Sequence, residues 1–154
     1  MEKTNAMRIL DRCKAVYHCH SYIHTDAVSG LEVAEALGQD PQRVFKTLVT
    51  VGKSKKYYVF VIPAAAGLDL KRAAQAVNEK SIEMIKSKEL LPLTGYVHGG
   101  CSPIGMKKFF TTTIDSSAQD YETIIFSAGK IGYQIEMSLE ELKKAICFQL
   151  KAIV

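Results

Sequence analysis

Two hydrophobic periods alternate along this chain. After Thr4 and Asn5, either able to cap a helix, Met7, Leu10 and Cys13 recur at helical spacing. That pattern predicts a first helix running to about Lys14. Over residues 16–22 the pattern becomes strict alternation, with His18, His20 and Tyr22 on one face and Tyr17, Cys19 and Ser21 on the other, as in a strand. Ser29-Gly30-Leu31-Glu32 has the spacing of a capping box, so a helix starts near Gly30, and Gly38 ends it. Pro41 after Asp40 suits a short helical turn. Residues 44–51 and 57–62 are β-rich runs joined by Gly52-Lys53-Ser54-Lys55, which reads as a hairpin. Asp69 caps a helix to about Val77. Residues 81–84 form a short strand, and a helical turn follows through Leu90 until Pro92 stops it. A glycine-rich loop occupies residues 95–105. Strands are expected over 107–114, 123–127 and 133–137, the last two joined by a turn at 128–132. Ser138-Leu139-Glu140-Glu141 is a second capping box and opens the last helix.

Strands outnumber helices and mostly follow one another through short turns. This is an α+β pattern: a mixed, mainly antiparallel sheet, curled into a partial barrel, with flanking helices. The length of 154 residues fits one domain over 1–154, with no linker, repeat or low-complexity tract. Arg8 and Asp11 break the apolar stretch that a signal peptide would need, and nothing approaches the ~20 apolar residues of a membrane span. The protein is expected in the cytoplasm. Cys13, Cys19, Cys101 and Cys147 form no C-x-x-C pair and read as reduced thiols. The net charge of +4 permits an anionic partner without demanding one. Lysines cluster at 53/55/56, 86/88 and 107/108, with Lys71 beside Arg72, and each cluster also fits a solvated turn or helix end.

Four features could carry chemistry. Lys46 stands in the apolar run Val44-Phe45-Lys46-Thr47-Leu48-Val49. At a cleft wall it offers charge and donors to a carbonyl oxygen or a phosphate. Composition alone favours a lysine snorkelling from a half-exposed strand. The loop Gly99-Gly100-Cys101-Ser102-Pro103-Ile104-Gly105 lets backbone N–H groups approach a ligand, or is an irregular connection. Ser127-Ala128-Gly129-Lys130-Ile131-Gly132 reads as a tight hairpin. His18, Cys19, His20 and His24 are metal-capable, but alternation turns Cys19 away from its neighbours, so half-buried strand residues are the main reading. No catalytic triad assembles. Cys101 with His98 offers a nucleophile, yet nothing visible lowers the thiol pKa.

Three segments, in this order, resemble the YbaK/prolyl-tRNA-synthetase-associated editing family. They are Val44-Phe45-Lys46-Thr47-Leu48, the string Gly95-Tyr96-Val97-His98-Gly99-Gly100-Cys101-Ser102-Pro103-Ile104-Gly105-Met106-Lys107-Lys108, and Ser127-Ala128-Gly129-Lys130-Ile131-Gly132. The resemblance covers nearly the whole chain. It implies a barrel-like mixed sheet with flanking helices and a metal-free, cofactor-free aminoacyl-tRNA deacylase acting on Cys-tRNA(Pro), with Cys-tRNA(Cys) as a further substrate. The partners it implies are the acceptor end of tRNA and prolyl-tRNA synthetase, with no membrane. Its catalytic positions fall on Lys46, Gly100 and Ser102. Its substrate-binding positions fall on Tyr22, Thr47, Gly99, Ser127 and Gly129. Ser29 stands where relatives often carry an aromatic residue, and Gln134 where some carry an acid; both belong to the implied pocket. Cys101 is usually another small or aliphatic residue, which speaks against a catalytic thiol. The implied mechanism is attack by the substrate's own thiol. Cleavage of another mischarged tRNA such as Ala-tRNA(Pro) by water, or a non-catalytic tRNA- or synthetase-binding module, are the alternatives.

Overall fold

The structure, a computed structural model, describes residues 2–154. The first helix, α1 (Asn5–Arg12), is capped by the Thr4 hydroxyl, which accepts from Met7 N–H, and it buries Ala6, Met7 and Leu10. β1 (His18–Ser21) follows. α2 (Gly30–Leu37) carries the full Ser29/Glu32 capping box and ends on Gly38 in the left-handed region. A 3-10 turn at Pro41–Arg43, capped by Asp40, leads into the hairpin β2 (Phe45–Gly52) and β3 (Tyr57–Pro63). α3 (Leu70–Ala76), β4 (Ile82–Met84) and α4 (Ser87–Thr94) precede the glycine loop. After it come β5 (Thr111–Asp115), a 3-10 turn (Ser116–Asp120), β6 (Ile124–Ser127), β7 (Tyr133–Met137), α5 (Leu139–Leu142) and β8 (Gln149–Lys151).

The strands form two sheets, β4-β2-β3-β5-β8 and β1-β7-β6. Both ladders of the small sheet, and those pairing β2 with β3 and with β4, are antiparallel; β5 pairs with β3 and β8 in parallel. One parallel bridge, Val44 to Ile125, joins the sheets without closing them. The main core lies between them: Phe45, Val49, Val59 and Val61 meet Phe126, Ile135 and Met137, with Met7 and Leu10 of α1 beneath. Tyr58, Phe60 and Ile62 point the other way, onto Ala73 and Ala74 of α3. β3 is therefore covered on both faces, which is why its sequence is an unbroken apolar run rather than an alternating one. Each such side chain contributes about 1.5–3 kcal/mol by leaving water.

Three expectations shift. Pro92 lies inside α4 instead of stopping it. It forfeits only the bond its own N–H would make, and the helix ends soon after at Gly95, which takes the left-handed conformation. The strand expected from 107 begins at Thr111, because Lys107 N–H is drawn to Thr94 C=O (3.0 Å) and holds the chain against α4. The second capping box is one-sided. Ser138 accepts from Glu141 N–H, but the Glu141 carboxylate accepts instead from Val16 N–H at 2.7 Å, tying the single turn of α5 to the entry of β1. The sequence reading did not anticipate β8 or the 3-10 turn after β5.

Glu136 of β7 pins the small sheet to the turn before β2. It accepts from Arg43 (2.7 Å) and Thr123 (2.6 Å) and pairs with His20 Nε2 (2.7 Å). Burial raises its pKa, but the hydrogen bonds from Thr123, His20 and Arg43 outweigh that and bring it to about 2. A depressed carboxylate contributes stability that is present above its ordinary value of 4.5 and is lost as pH falls toward about 2. Urea unfolding of Glu136→Gln should show about 2 kcal/mol less stability near neutrality. Its stability should also fall less steeply than wild type below the ordinary carboxylate range.

Candidate active site

A cleft of about 510 Å³ opens beside β2. One wall is β2 itself, through residues 45–48. The N-terminal turn of α2 with Val28 and Ser29 forms a second wall, and His98, Gly99 and Cys101 of the glycine loop form a third. Phe126, Ser127 and Ile131 of the β6–β7 hairpin close the far end, with Tyr22 and Gln134 beside them. The surface is mainly apolar, so each polar group set in it acts with little competition from water.

Tyr96 fixes the loop and the hairpin relative to each other. Its ring is buried and its hydroxyl donates to Ile104 C=O, closing the loop on itself. Gly129 at the hairpin tip has φ +92°, and a Cβ there would lie 2.8 Å from the Tyr96 ring. Gly100 lies against the hairpin from the other side, where a Cβ would stand 3.1 Å from Ile131 N. At Gly129 the ring leaves no room for a side chain on a left-handed backbone, and at Gly100 the backbone of the hairpin leaves little.

The polar groups divide by what they already hold. Lys46 is half-buried and forms no salt bridge among the described residues, so its charge is available to a ligand. Ser127 Oγ accepts from Gly129 N–H at 3.1 Å and keeps its own proton to donate. Ser29 and Glu32 are both engaged in the α2 cap. The backbone N–H of Ser29 is the main reason that Glu32 sits below its ordinary carboxylate pKa. Gln134 Oε1 accepts from Gln39 Nε2 at 2.8 Å, leaving the Gln134 NH₂ for the cleft. Turning both amides over would preserve their bond and present an acceptor instead. Burial pushes the Cys101 thiol up to about 12, so it is a neutral, space-filling group and not a nucleophile.

Most of the residues expected from the sequence converge here: Lys46, Thr47, Tyr22, Ser29, Gly99, Cys101, Ser127 and Gln134 all line the cleft. Gly100, Ser102 and Gly129 do not line it. Gly100 N–H donates to Val97 C=O at 3.0 Å, so it is spent on a turn and is no free donor. Ser102 is fully buried, and its hydroxyl accepts from Ile104 N–H at 3.3 Å. These residues shape the wall from behind. The sequence reading missed Gln39, because nothing in a residue just past a helix stop announces a partner far along the chain. It also missed the apolar lip of Val28 and Leu31. Among the described residues no three His, Cys, Asp or Glu side chains gather to hold a metal ion, and His20 is occupied by Glu136. No helix among them is long and apolar enough to cross a membrane.

Residues 24–145 match the family model described as the aminoacyl-tRNA editing domain, a span that includes every cleft residue named above except Tyr22. EbsC of Enterococcus faecalis, provisionally named a Cys-tRNA(Pro)/Cys-tRNA(Cys) deacylase, is 48% identical over 142 residues, covering 92% of this chain and 87% of that protein. YwhH of Bacillus subtilis, which is uncharacterized, is 26% identical over 78% of this chain and 76% of its own. Among solved structures, one provisionally described as a trans-editing enzyme for prolyl-tRNA synthetase aligns with TM-score 0.82 at 21% identity, over 99% of this chain and 98% of that one. The hypothetical protein APE2540 aligns with TM-score 0.88 at 18% identity, over 97% of this chain and 99% of its own. At those identities the likeness is one of fold.

Gly129→Ala should destabilise the protein by roughly 1–3 kcal/mol, since it combines a left-handed backbone with a clash on Tyr96. Gly99→Ala shares the left-handed backbone, at φ +87°, but would meet Ile131 only at 3.8 Å and should cost less. Thermal melts of the two variants test this order.

Proposed function

This chain belongs to the aminoacyl-tRNA editing domain family, and we propose that it clears mischarged Cys-tRNA(Pro), and Cys-tRNA(Cys) with it, by cleaving the aminoacyl ester. The observation that carries this reading is the Lys46 cation, without a salt-bridge partner among the described residues, in a mainly apolar cleft where those residues form no paired nucleophile and base. Cys101 is neutral, Ser127 has no general base bonded to it among the described residues, and His98 is exposed. Such a site suits a substrate that carries its own nucleophile.

The cysteinyl sulfur attacks its own ester carbonyl. The C–S bond forms, the bond from carbonyl carbon to ribose oxygen breaks, and the thiol proton ends on that oxygen. The released thiolactone is then opened by water to cysteine. The protein folds the ester into the attacking geometry, which supplies several kcal/mol and up to ~7–11 in ideal cases. Lys46 neutralises charge at the terminal ribose and phosphate or at the carbonyl oxygen, and Ser127 lines the cysteine compartment. Cysteine and proline are close in size, so a synthetase pocket cannot reject one cleanly, and a second site removes the error. Prolyl-tRNA synthetase is the expected partner, because a cleft that grips the acceptor end reads no anticodon. The reaction belongs in the cytoplasm, where charged tRNA circulates.

A panel of mischarged tRNAs, assayed with and without prolyl-tRNA synthetase, tests the reading. Cysteinyl esters should be cleaved far faster than seryl or alanyl esters on the same tRNA. Equal rates would exclude attack by the substrate thiol, preferential loss of alanine would favour a water-using enzyme, and binding without cleavage would favour a non-catalytic module. Lys46→Ala should lower kcat/KM by about 10²–10³ while its melting curve stays near wild type.

A further inference from the structure

Neighbouring residues of β2 direct their backbone groups to opposite edges, and one edge has a gap. Val44 C=O accepts from Ala64 N–H at 2.7 Å, and Gly52 N–H donates to Lys56 C=O at 2.8 Å. Pro63, which has no N–H, stands opposite Phe45. Even-numbered residues of β2 therefore spend their N–H and C=O groups on β3, and odd-numbered ones point to the far edge. There β4 pairs with residues 50–52, and Val49 C=O accepts from Ile85 N–H at 3.4 Å. At the other end Val44, just before the strand, makes a single bridge to Ile125, and by the same alternation Arg43 and Phe45 direct their groups to that side. Between these two attachments no strand pairs with Thr47. By the alternation its N–H and C=O face that unpaired edge; Thr47 lines the cleft, and its hydroxyl is buried without a partner among the described residues.

A residue in this state is half of an antiparallel hydrogen-bonded pair. The missing half must offer one donor and one acceptor flanking a single α-carbon, and an α-amino ester does so. We infer that the aminoacyl group docks on Thr47 as a one-residue strand, its amine donating to Thr47 C=O and its ester carbonyl accepting from Thr47 N–H. The inference rests on the deacylase reading and names, within it, the donor that faces the reacting carbonyl. It fills the place left by Gly100, whose N–H is taken by Val97. A backbone donor fixed in a strand needs no reorganisation as charge grows on the oxygen. The pairing also fixes the α-carbon, so an L-residue's side chain has one direction in which to project.

The test replaces Thr47 with its α-hydroxy analogue by nonsense suppression, which deletes the N–H and keeps the side chain. For Cys-tRNA(Pro), kcat/KM should fall by about 10²–10³ in the folded variant. In parallel, 15N-labelled wild type is titrated with 3′-deoxy-3′-(L-cysteinylamino)adenosine. The Thr47 amide proton should move downfield, and 3′-amino-3′-deoxyadenosine, which lacks the aminoacyl group, should leave it in place. A folded ester variant with wild-type kcat/KM, or a Thr47 amide that ignores the aminoacylated nucleoside, overturns the inference. If the variant does not fold, the titration of wild type alone decides. Wild type that cleaves no charged tRNA would defeat the deacylase reading instead, and the titration would still decide whether Thr47 holds an aminoacyl group.

Discussion

β2 is longer than its partners on one side, and its backbone groups must be satisfied somewhere. β3 accompanies it throughout, whereas β4 covers only its end and the small sheet makes a single backbone bridge beside it, at Val44 just before the strand. The cleft is the space left along the remaining edge. An open sheet edge invites pairing with other chains, and proteins commonly cover it. Here α2, the glycine loop and the β6–β7 hairpin fold around it and line the cleft that remains. Position and polarity of the site thus follow from a mismatch in strand length.

Around that edge the molecule is built for stiffness. Tyr96 joins loop to hairpin, with Gly129 and Gly105 drawn tight against it. Glu136 clamps β7 to Arg43 in the turn before β2, and Gln39 holds Gln134 across the same junction. Each of these contacts sets the distance between a wall of the cleft and β2. A site that works by folding its substrate into a reactive shape needs this rigidity more than it needs reactive side chains, because misplacement by about 1 Å costs heavily in rate. The high pKa of Cys101 and the cap-bound Glu32 fit that division, in which titratable groups near the cleft serve its walls.

Much of this was legible in the chain because the local signals agree with one another. Ser29 with Glu32, Gly38, Asp69 and the hairpin turn after Gly52 each carry their mechanism in a few adjacent residues. The glycine loop and the 127–132 hairpin were visible for the same reason, and Lys46 stood out by its contrast with its neighbours. Pro92 misled because a proline near a helix end removes one hydrogen bond without ending the helix, whereas Gly95, with φ +84°, does end it. The roles of Gly100 and Ser102 were obscured because a motif locates a loop without showing which of its N–H groups are already used. Thr47 entered only as a substrate-binding position; the edge it stands on follows from where pairing with β4 and β6 stops, a property of the sheet and not of any short string of residues.

An edge that holds the amine and carbonyl of an aminoacyl group reads what all such esters share. On the proposed mechanism, selection therefore lies in reactivity and not in shape. Prolyl ester has no thiol, so correctly charged Pro-tRNA(Pro) could occupy the cleft and leave uncut, while a cysteinyl ester held in the same way would destroy itself. Discrimination of this kind escapes the limit of a few kcal/mol that governs pockets sorting by a methylene or two. It also has a consequence for the tRNA. Cys-tRNA(Pro) and Cys-tRNA(Cys) present the same cysteinyl adenosine to a cleft of about 510 Å³, too small to admit more than the acceptor terminus. On the proposed reading nothing at Thr47, Lys46 or Ser127 separates the two, and the distinction between an error and a correct product falls outside the cleft, to a partner that reads the body of the tRNA.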